Sequence, residues 1–299
     1  MSQAQIERLD LDQLTCWRVH LGDSELLVAQ QGAQILHYQH GEQPPIIWCS
    51  EQAGYNRGQS VRGGIPVCWP WFGDLQRNPQ ALQHQHAAPS SAPAHGGVRG
   101  LDWQLLGVEQ QGESVTLQFL YDSRQQPLPH WPYDAELRLD IRLDQRLHLS
   151  LTSRNLGKQP LHLSQALHSY FAVSDIRQAS VLGLDGCRYI ETLDDWRECR
   201  QRGAVQFAGE TDRIYLDVPP RLALVDNGWK RRILIETSGS HSAVVWNPWI
   251  DKAQRLSQFA DDAWQRMLCI ETANVWDDCI ELAAGASHSL NVSLWSEAL

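Results

Sequence analysis

An all-β fold, a large sandwich of antiparallel strands, is the class predicted by this 299-residue sequence. Three observations predict it. Apolar residues alternate with polar ones along several segments, turn-forming residues interrupt those segments at short intervals, and helical periodicity is nearly absent. The length suits one undivided domain over residues 1–299, because all-β folds commonly reach this size without splitting.

The strands follow in chain order. Val115, Leu117, Phe119 and Tyr121 occupy every second position, as in a strand with one face buried. The alternation is clearest from Ala135 to Leu143, where Leu137, Leu139 and Ile141 are separated by charged residues. After Asp144-Gln145-Arg146 it resumes at Leu147, Leu149 and Leu151, so the two runs read as antiparallel partners joined by a tight polar connection. Ile233 with Ile235, and Leu290 with Val292 and Leu294, add two more. Gly112-Glu113, Asn155-Leu156-Gly157 and Asp226-Asn227-Gly228 supply turns. No segment reads as strand–helix–strand, which disfavours a doubly wound parallel sheet. The stretch from Asn78 to Ala94, rich in Pro, Ser, Ala and His, is expected to be a long loop near the site. His84 and His86 within it have metal-ligand spacing but no nearby partners, so a surface loop is expected there, not a metal site.

Composition narrows the function. A net charge of −10 disfavours nucleic acid and anionic membrane as partners, since both normally demand a basic face. No apolar stretch approaches the length of a membrane span, and the polar start Met1-Ser2-Gln3-Ala4 argues against a signal peptide. The seven cysteines are odd in number and scattered, with no Cys-x-x-Cys pair. Settings such as Val67-Cys68-Trp69 and Leu268-Cys269-Ile270 fit reduced, buried thiols in a cytoplasmic protein. Of the thirteen tryptophans most are expected in packing; Trp69, Trp71, Trp246 and Trp249, in Gly/Pro-rich segments, are candidates to stack on a sugar ring.

Two Gly-rich segments carry arginines: Arg62-Gly63-Gly64-Ile65-Pro66 and His95-Gly96-Gly97-Val98-Arg99. In an acidic chain, arginine beside glycine suits a local anion site, because glycine lets the backbone come close and guanidinium offers a planar fork to carboxylate or phosphate. Downstream, Gln165-Ala166-Leu167-His168-Ser169-Tyr170-Phe171 places a histidine in an apolar run. Glu210-Thr211-Asp212-Arg213-Ile214-Tyr215 places an aspartate before a strand, and Leu268-Cys269-Ile270-Glu271 ends an apolar run on a carboxylate. Singly, each has a plain structural reading as a core histidine, a turn former or a solvated glutamate.

Together, in this order and with Trp246-Asn247-Pro248-Trp249, these motifs strongly resemble the glucose-6-phosphate 1-epimerases, the hexose-6-phosphate mutarotase branch of the aldose 1-epimerase superfamily. The resemblance runs from about Arg62 to Glu271. It implies a galactose mutarotase-like β-sandwich, in agreement with the strand reading. It also implies roles: His168 as general acid, Glu271 as general base, Arg62 and Arg99 binding substrate near its phosphate, and Asp212 and His95 binding substrate. Two departures stand out. Relatives often have a polar, substrate-binding residue where this chain has Ala94, and Thr272-Ala273-Asn274 follows Glu271 where Pro-Gly is expected, so the local turn is expected to differ.

Anomer exchange removes the proton of the C1 hydroxyl and protonates the ring oxygen; the ring opens to the aldehyde, C1–C2 rotates, and the ring closes on the other face. One acid and one base suffice, with no cofactor and no metal. At ordinary pKa values near 4.3 and 6.5, the carboxylate would be ionised and the imidazole partly protonated. The expected substrate is a hexose 6-phosphate, chiefly glucose 6-phosphate, and the chain is expected to act as a monomer. The rivals are a mutarotase for unphosphorylated aldoses and a sugar-binding sandwich without catalysis. Retention of both arginines weighs against the first, and of both His168 and Glu271 against the second.

Overall fold

The computed structural model describes residues 3–299. Its strands pair antiparallel throughout, and two large sheets dominate. A nine-stranded sheet runs in the order Val205–Gln206, Ala179–Leu182, Arg221–Asp226, Arg231–Ser238, Ser287–Ala298, Leu147–Asn155, Ala135–Leu143, Ser114–Asp122, Gln104–Gln111. An eight-stranded sheet runs Arg197–Arg200, Arg188–Glu191, Thr211–Leu216, Ser242–Asn247, Met267–Asn274, Gln165–Leu167, Val67–Cys68, with Tyr170–Ala172 also paired to Met267–Asn274. A four-stranded meander, Gln5–Leu11, Leu14–Leu21, Ser24–Ala29 and Ile35–His40, precedes them.

The alternating segments form the outer sheet as expected. Ala135–Leu143 pairs with Leu147–Asn155 in a register that sets Leu139 against Leu151 and Leu143 against Leu147. Burial alternates along both strands because odd-numbered residues enter the core and even-numbered ones face outward. Side chains from both large sheets, including Leu139, Leu151, Leu290, Leu268 and Ile270, belong to one hydrophobic cluster. All seven cysteines are free thiols.

The inner sheet is different. Every residue of Ser242–Asn247 and of Met267–Asn274 is buried. One face of these strands meets the core, and the other lies under a cavity that also shields it from water. The segment after Glu271 does not turn. Thr272 and Ala273 pair on one side with Leu167 and Ala166 and on the other with Ala243 and Ser242, so the strand continues to Asn274. Thr272 and Ala273 keep the backbone N–H groups that a proline would lack, which permits this ladder.

Two glycines set the loops against the sheets. A Cβ on Gly64, at φ +73°, would come within 2.1 Å of the Ile35 carbonyl oxygen; one on Gly96, at φ +76°, within 1.9 Å of that of Trp69. The segment 78–94 contains short helical turns, Gln80–Gln83 and Pro89–Ser91, and borders the cavity at Asn78, Pro79 and Ala94. His84 is exposed, but His86 is not at the surface: it is buried edge-on to Trp71 with ring centroids 5.1 Å apart.

Candidate active site

The cavity over the inner sheet has a volume of about 650 Å³, within the usual range for small-molecule sites. Arg62, His95, Arg99, His168, Asp212 and Glu271 all line it. Its floor follows from strand register. Leu167 lies opposite Thr272 and Tyr170 opposite Cys269, so His168 falls opposite Glu271 on the neighbouring strand. Cross-strand neighbours on one face are within side-chain reach, and His168 Nε2 is 3.3 Å from Glu271 Oε1. His168 also stacks on Tyr170, two residues on, with centroids 4.8 Å apart and planes 8° from parallel. The same register carries Asp212 beside Trp246, one row along from Val244 and Glu271.

Burial changes the electrostatics from the ordinary values assumed above. His168 is 7% exposed and Glu271 1%. Desolvation pushes the imidazole of His168 well below its usual range, helped by His95, Arg99 and Arg62. It pushes the Glu271 carboxyl well above its usual range; Asp212 adds to this and Arg99 opposes it. Both groups are therefore driven toward their neutral forms, because a buried charge loses its hydration. Moving one proton from Glu271 to His168 across their contact turns the neutral pair into carboxylate and imidazolium. Among the described residues, Glu271 Oε2 and His168 Nδ1 have no hydrogen-bond partner.

His95 sits on strained backbone, φ +64°, held where its N–H donates to the Gly73 carbonyl at 2.9 Å. The backbone N–H of Gly73 donates to His95 Nδ1 at 3.3 Å, and Cys68 Sγ lies 3.5 Å from the same nitrogen. Nδ1 is thus the acceptor and Nε2 carries the proton. Burial, then Arg99 and Arg62, lower the His95 pKa to about 3. It can donate a hydrogen bond from Nε2 without becoming cationic.

The arginines frame the other walls. Arg99 Nη2 donates to the Ala94 carbonyl at 2.8 Å, and Arg62 Nε to that of Ser257 at 3.3 Å. Among the described residues, neither has a carboxylate within ion-pair distance, unlike Lys252, which sits 3.1 Å from Glu210 and 3.9 Å from Asp212. Asp212 has its pKa raised to about 6, chiefly by burial and further by Glu210 and Glu191, against the opposing Lys252 and Thr192.

Several lining residues escaped sequence reasoning. Lys252 follows the Trp-Asn-Pro-Trp motif on the short helix Trp249–Ala253. Arg77 lies 5.2 Å over the ring of Trp196, which stacks on Trp276 at 5.5 Å, and all three border the cavity. Of the four tryptophans singled out, only Trp246 lines it. Trp69 and Trp71 are core residues, and Trp249 packs on Trp264.

An antiparallel sandwich with a buried imidazole–carboxyl pair on the floor of a cavity of small-molecule size has the parts for acid–base chemistry on a bound small molecule. The sequence pattern of the aldose 1-epimerase family matches residues 17–295, and the chain belongs to that family. A protein of Escherichia coli K12 provisionally named glucose-6-phosphate 1-epimerase is 30% identical over 269 residues, covering 90% of this chain and 86% of its own. One of the same provisional name from Cenchrus ciliaris is 30% identical over 255 residues, covering 82% and 73%. A crystal structure from Salmonella typhimurium, provisionally described as a mutarotase, superposes with a TM-score of 0.88 at 26% identity, covering 100% of this chain and 96% of the other. No helix among the described residues is long and apolar enough to cross a membrane.

Proposed function

We propose that this protein interconverts the α and β anomers of glucose 6-phosphate, with Glu271 as general base and His168 as general acid. The single observation that carries the reading is the 3.3 Å contact between His168 Nε2 and Glu271 Oε1 on a shared cavity wall. The two reacting oxygens of the sugar, O1 and O5, are bonded to one carbon, so their acid and base must also be neighbours. Glu271 takes the proton of the O1 hydroxyl as His168 gives one to O5. The C1–O5 bond breaks, and the O1 oxygen becomes the aldehyde carbonyl. Rotation about C1–C2 turns the carbonyl over, and the reverse transfers close the ring and restore both side chains. The bound sugar separates the pair and receives the proton that they otherwise share.

Arg62 and Arg99 supply the cationic wall for the 6-phosphate, as suits two guanidiniums without carboxylate partners among the described residues. Asp212 accepts from sugar hydroxyls, His95 donates from Nε2, and the Trp246 ring borders the sugar. The relatives' provisional names point to the same substrate. No redox cofactor or metal enters this scheme, and the protein is read as a monomeric cytoplasmic enzyme of one domain. The test is anomer-exchange NMR on glucose 6-phosphate and glucose side by side. Strong acceleration of the phosphorylated sugar alone is expected; equal acceleration of both would remove phosphate from the reading.

A further inference from the structure

Cys269 has no part in the scheme above, yet it lies two residues before Glu271 and hence on the same face of Met267–Asn274. It is fully buried, in the row formed with Tyr170 and Trp246. One ligand atom each from His168, Cys269 and Glu271 lie within 4.8 Å of one another. We propose that this trio is an inhibitory site for a thiophilic divalent cation, for which zinc(II) is the natural probe.

Nitrogen, sulfur and oxygen are the three donor types zinc takes, at roughly 2.0–2.3 Å in a tetrahedral shell. Such a shell sets neighbouring donors roughly 3.2–3.8 Å apart. The edge between Nε2 and Oε1 already measures 3.3 Å, and the three donors lie within 4.8 Å of one another, so assembling the site requires the trio to contract by up to about an ångström. Glu271 Oε2 and His168 Nδ1 have no hydrogen-bond partners among the described residues, and a cation seated between Nε2 and Oε1 replaces the contact those two atoms make with each other. Three protein ligands leave the fourth position to water. Coordination replaces two protons, that of the Cys269 thiol and that of the Glu271 carboxyl, which burial keeps protonated; both pass to solvent, and nothing is oxidised or reduced. Magnesium, which demands octahedral oxygen ligands, has no fit here. The bound cation would occupy the lone pairs that acid–base catalysis needs, which makes it an inhibitor.

That the cation inhibits rests on the proposed function; that it binds does not, and the test separates the two. Cobalt(II) titrated into the full chain reports a thiolate ligand through a sulfur-to-metal charge-transfer band in the near ultraviolet. We expect that band in the native protein and its loss in both Cys269→Ala and Cys269→Ser. Zinc should slow anomer exchange at micromolar concentration, a chelator should reverse this, and the cysteine variants should be at least tenfold less sensitive with unchanged metal-free turnover. Should neither variant fold, X-ray absorption of the native zinc complex must show one sulfur in the first shell. No band, an undiminished band in a folded variant, or a sulfur-free shell overturns the site. A band lost on mutation, with catalysis indifferent to zinc, keeps the site and overturns inhibition, together with the roles given to His168 and Glu271.

Discussion

Glu271→Gln separates catalysis from stability. Glutamine keeps the size of the side chain and an oxygen that can face His168, but it cannot take a proton. Glu271 is 1% exposed, so bulk buffer cannot stand in for the lost base. Positioned acid–base catalysis contributes roughly 10²–10⁴-fold, equivalent to about 2.7–5.5 kcal/mol of barrier, and the rate should fall by at least the lower figure. Stability should move the other way. Burial, with Asp212, raises the folded-state pKa of Glu271 well above the unfolded value of 4.5. A carboxyl so displaced stabilises the fold fully below the unfolded pKa, and that contribution is lost as pH rises through the folded one. Glutamine does not titrate, so the variant should gain on the native protein as pH rises from about 5 to 8. The assays are saturation-transfer NMR of the anomeric protons of glucose 6-phosphate and thermal melts across that pH range. A folded variant turning over within threefold of native would refute the base assignment. A melting difference that does not grow with pH would refute the buried-carboxyl reasoning.

The other predictions concern binding and backbone. Arg99→Ala should raise KM for glucose 6-phosphate about tenfold to a hundredfold, the effect of losing one charge-assisted hydrogen bond, with much less effect on free glucose; lysine should rescue only partly. Since Arg99 also holds the Ala94 carbonyl, equal impairment of both sugars would show that it braces the loop instead. The Asp212 pKa of about 6 predicts that KM climbs as pH falls through that value, because the protonated carboxyl accepts poorly; in Asp212→Asn, KM should be raised and flat, and a flat native profile would count against the role. Gly96→Ala forces a side chain into left-handed backbone 1.9 Å from a carbonyl oxygen and should cost about 2–4 kcal/mol in urea unfolding; an unshifted midpoint would contradict the close approach.

Periodicity revealed the strands that have one wet face. Ser114–Asp122, Ala135–Leu143 and Leu147–Asn155 alternate because water covers one side of the outer sheet. Ser242–Asn247 and Met267–Asn274 carry no alternation, since core and cavity bury every residue, and they were legible only through motifs. The amino-terminal meander was not read at all, as its first strand, Gln5–Leu11, is largely exposed and its polar and apolar residues mix. Within the site, the motifs named seven lining residues, Trp246 among them, but Arg77, Trp196, Lys252 and Trp276 come from loops and short turns, where no repeat constrains the sequence. The displaced pKa values of His168 and Glu271 could not be read either, because burial is a property of the assembled sheet and not of the residue.

The floor and the mouth of the cavity are built by different means. His168 sits in the gap between Gln165–Leu167 and Tyr170–Ala172, whose ladders to Met267–Asn274 flank it on both sides, so a slip of one residue would turn the carboxylate into the core and aim Thr272 or Ile270 at the histidine. Their spacing is therefore set by the pairings on either side of His168. Trp196 and Trp276, by contrast, sit in left-handed turns at φ +56° and +59°, outside any ladder. Insertions or substitutions there can reshape the entrance while His168 and Glu271 keep their separation. If His168 and Glu271 act as proposed, the same sheet can acquire a new substrate by redrawing its doorway while that acid–base pair stays in place.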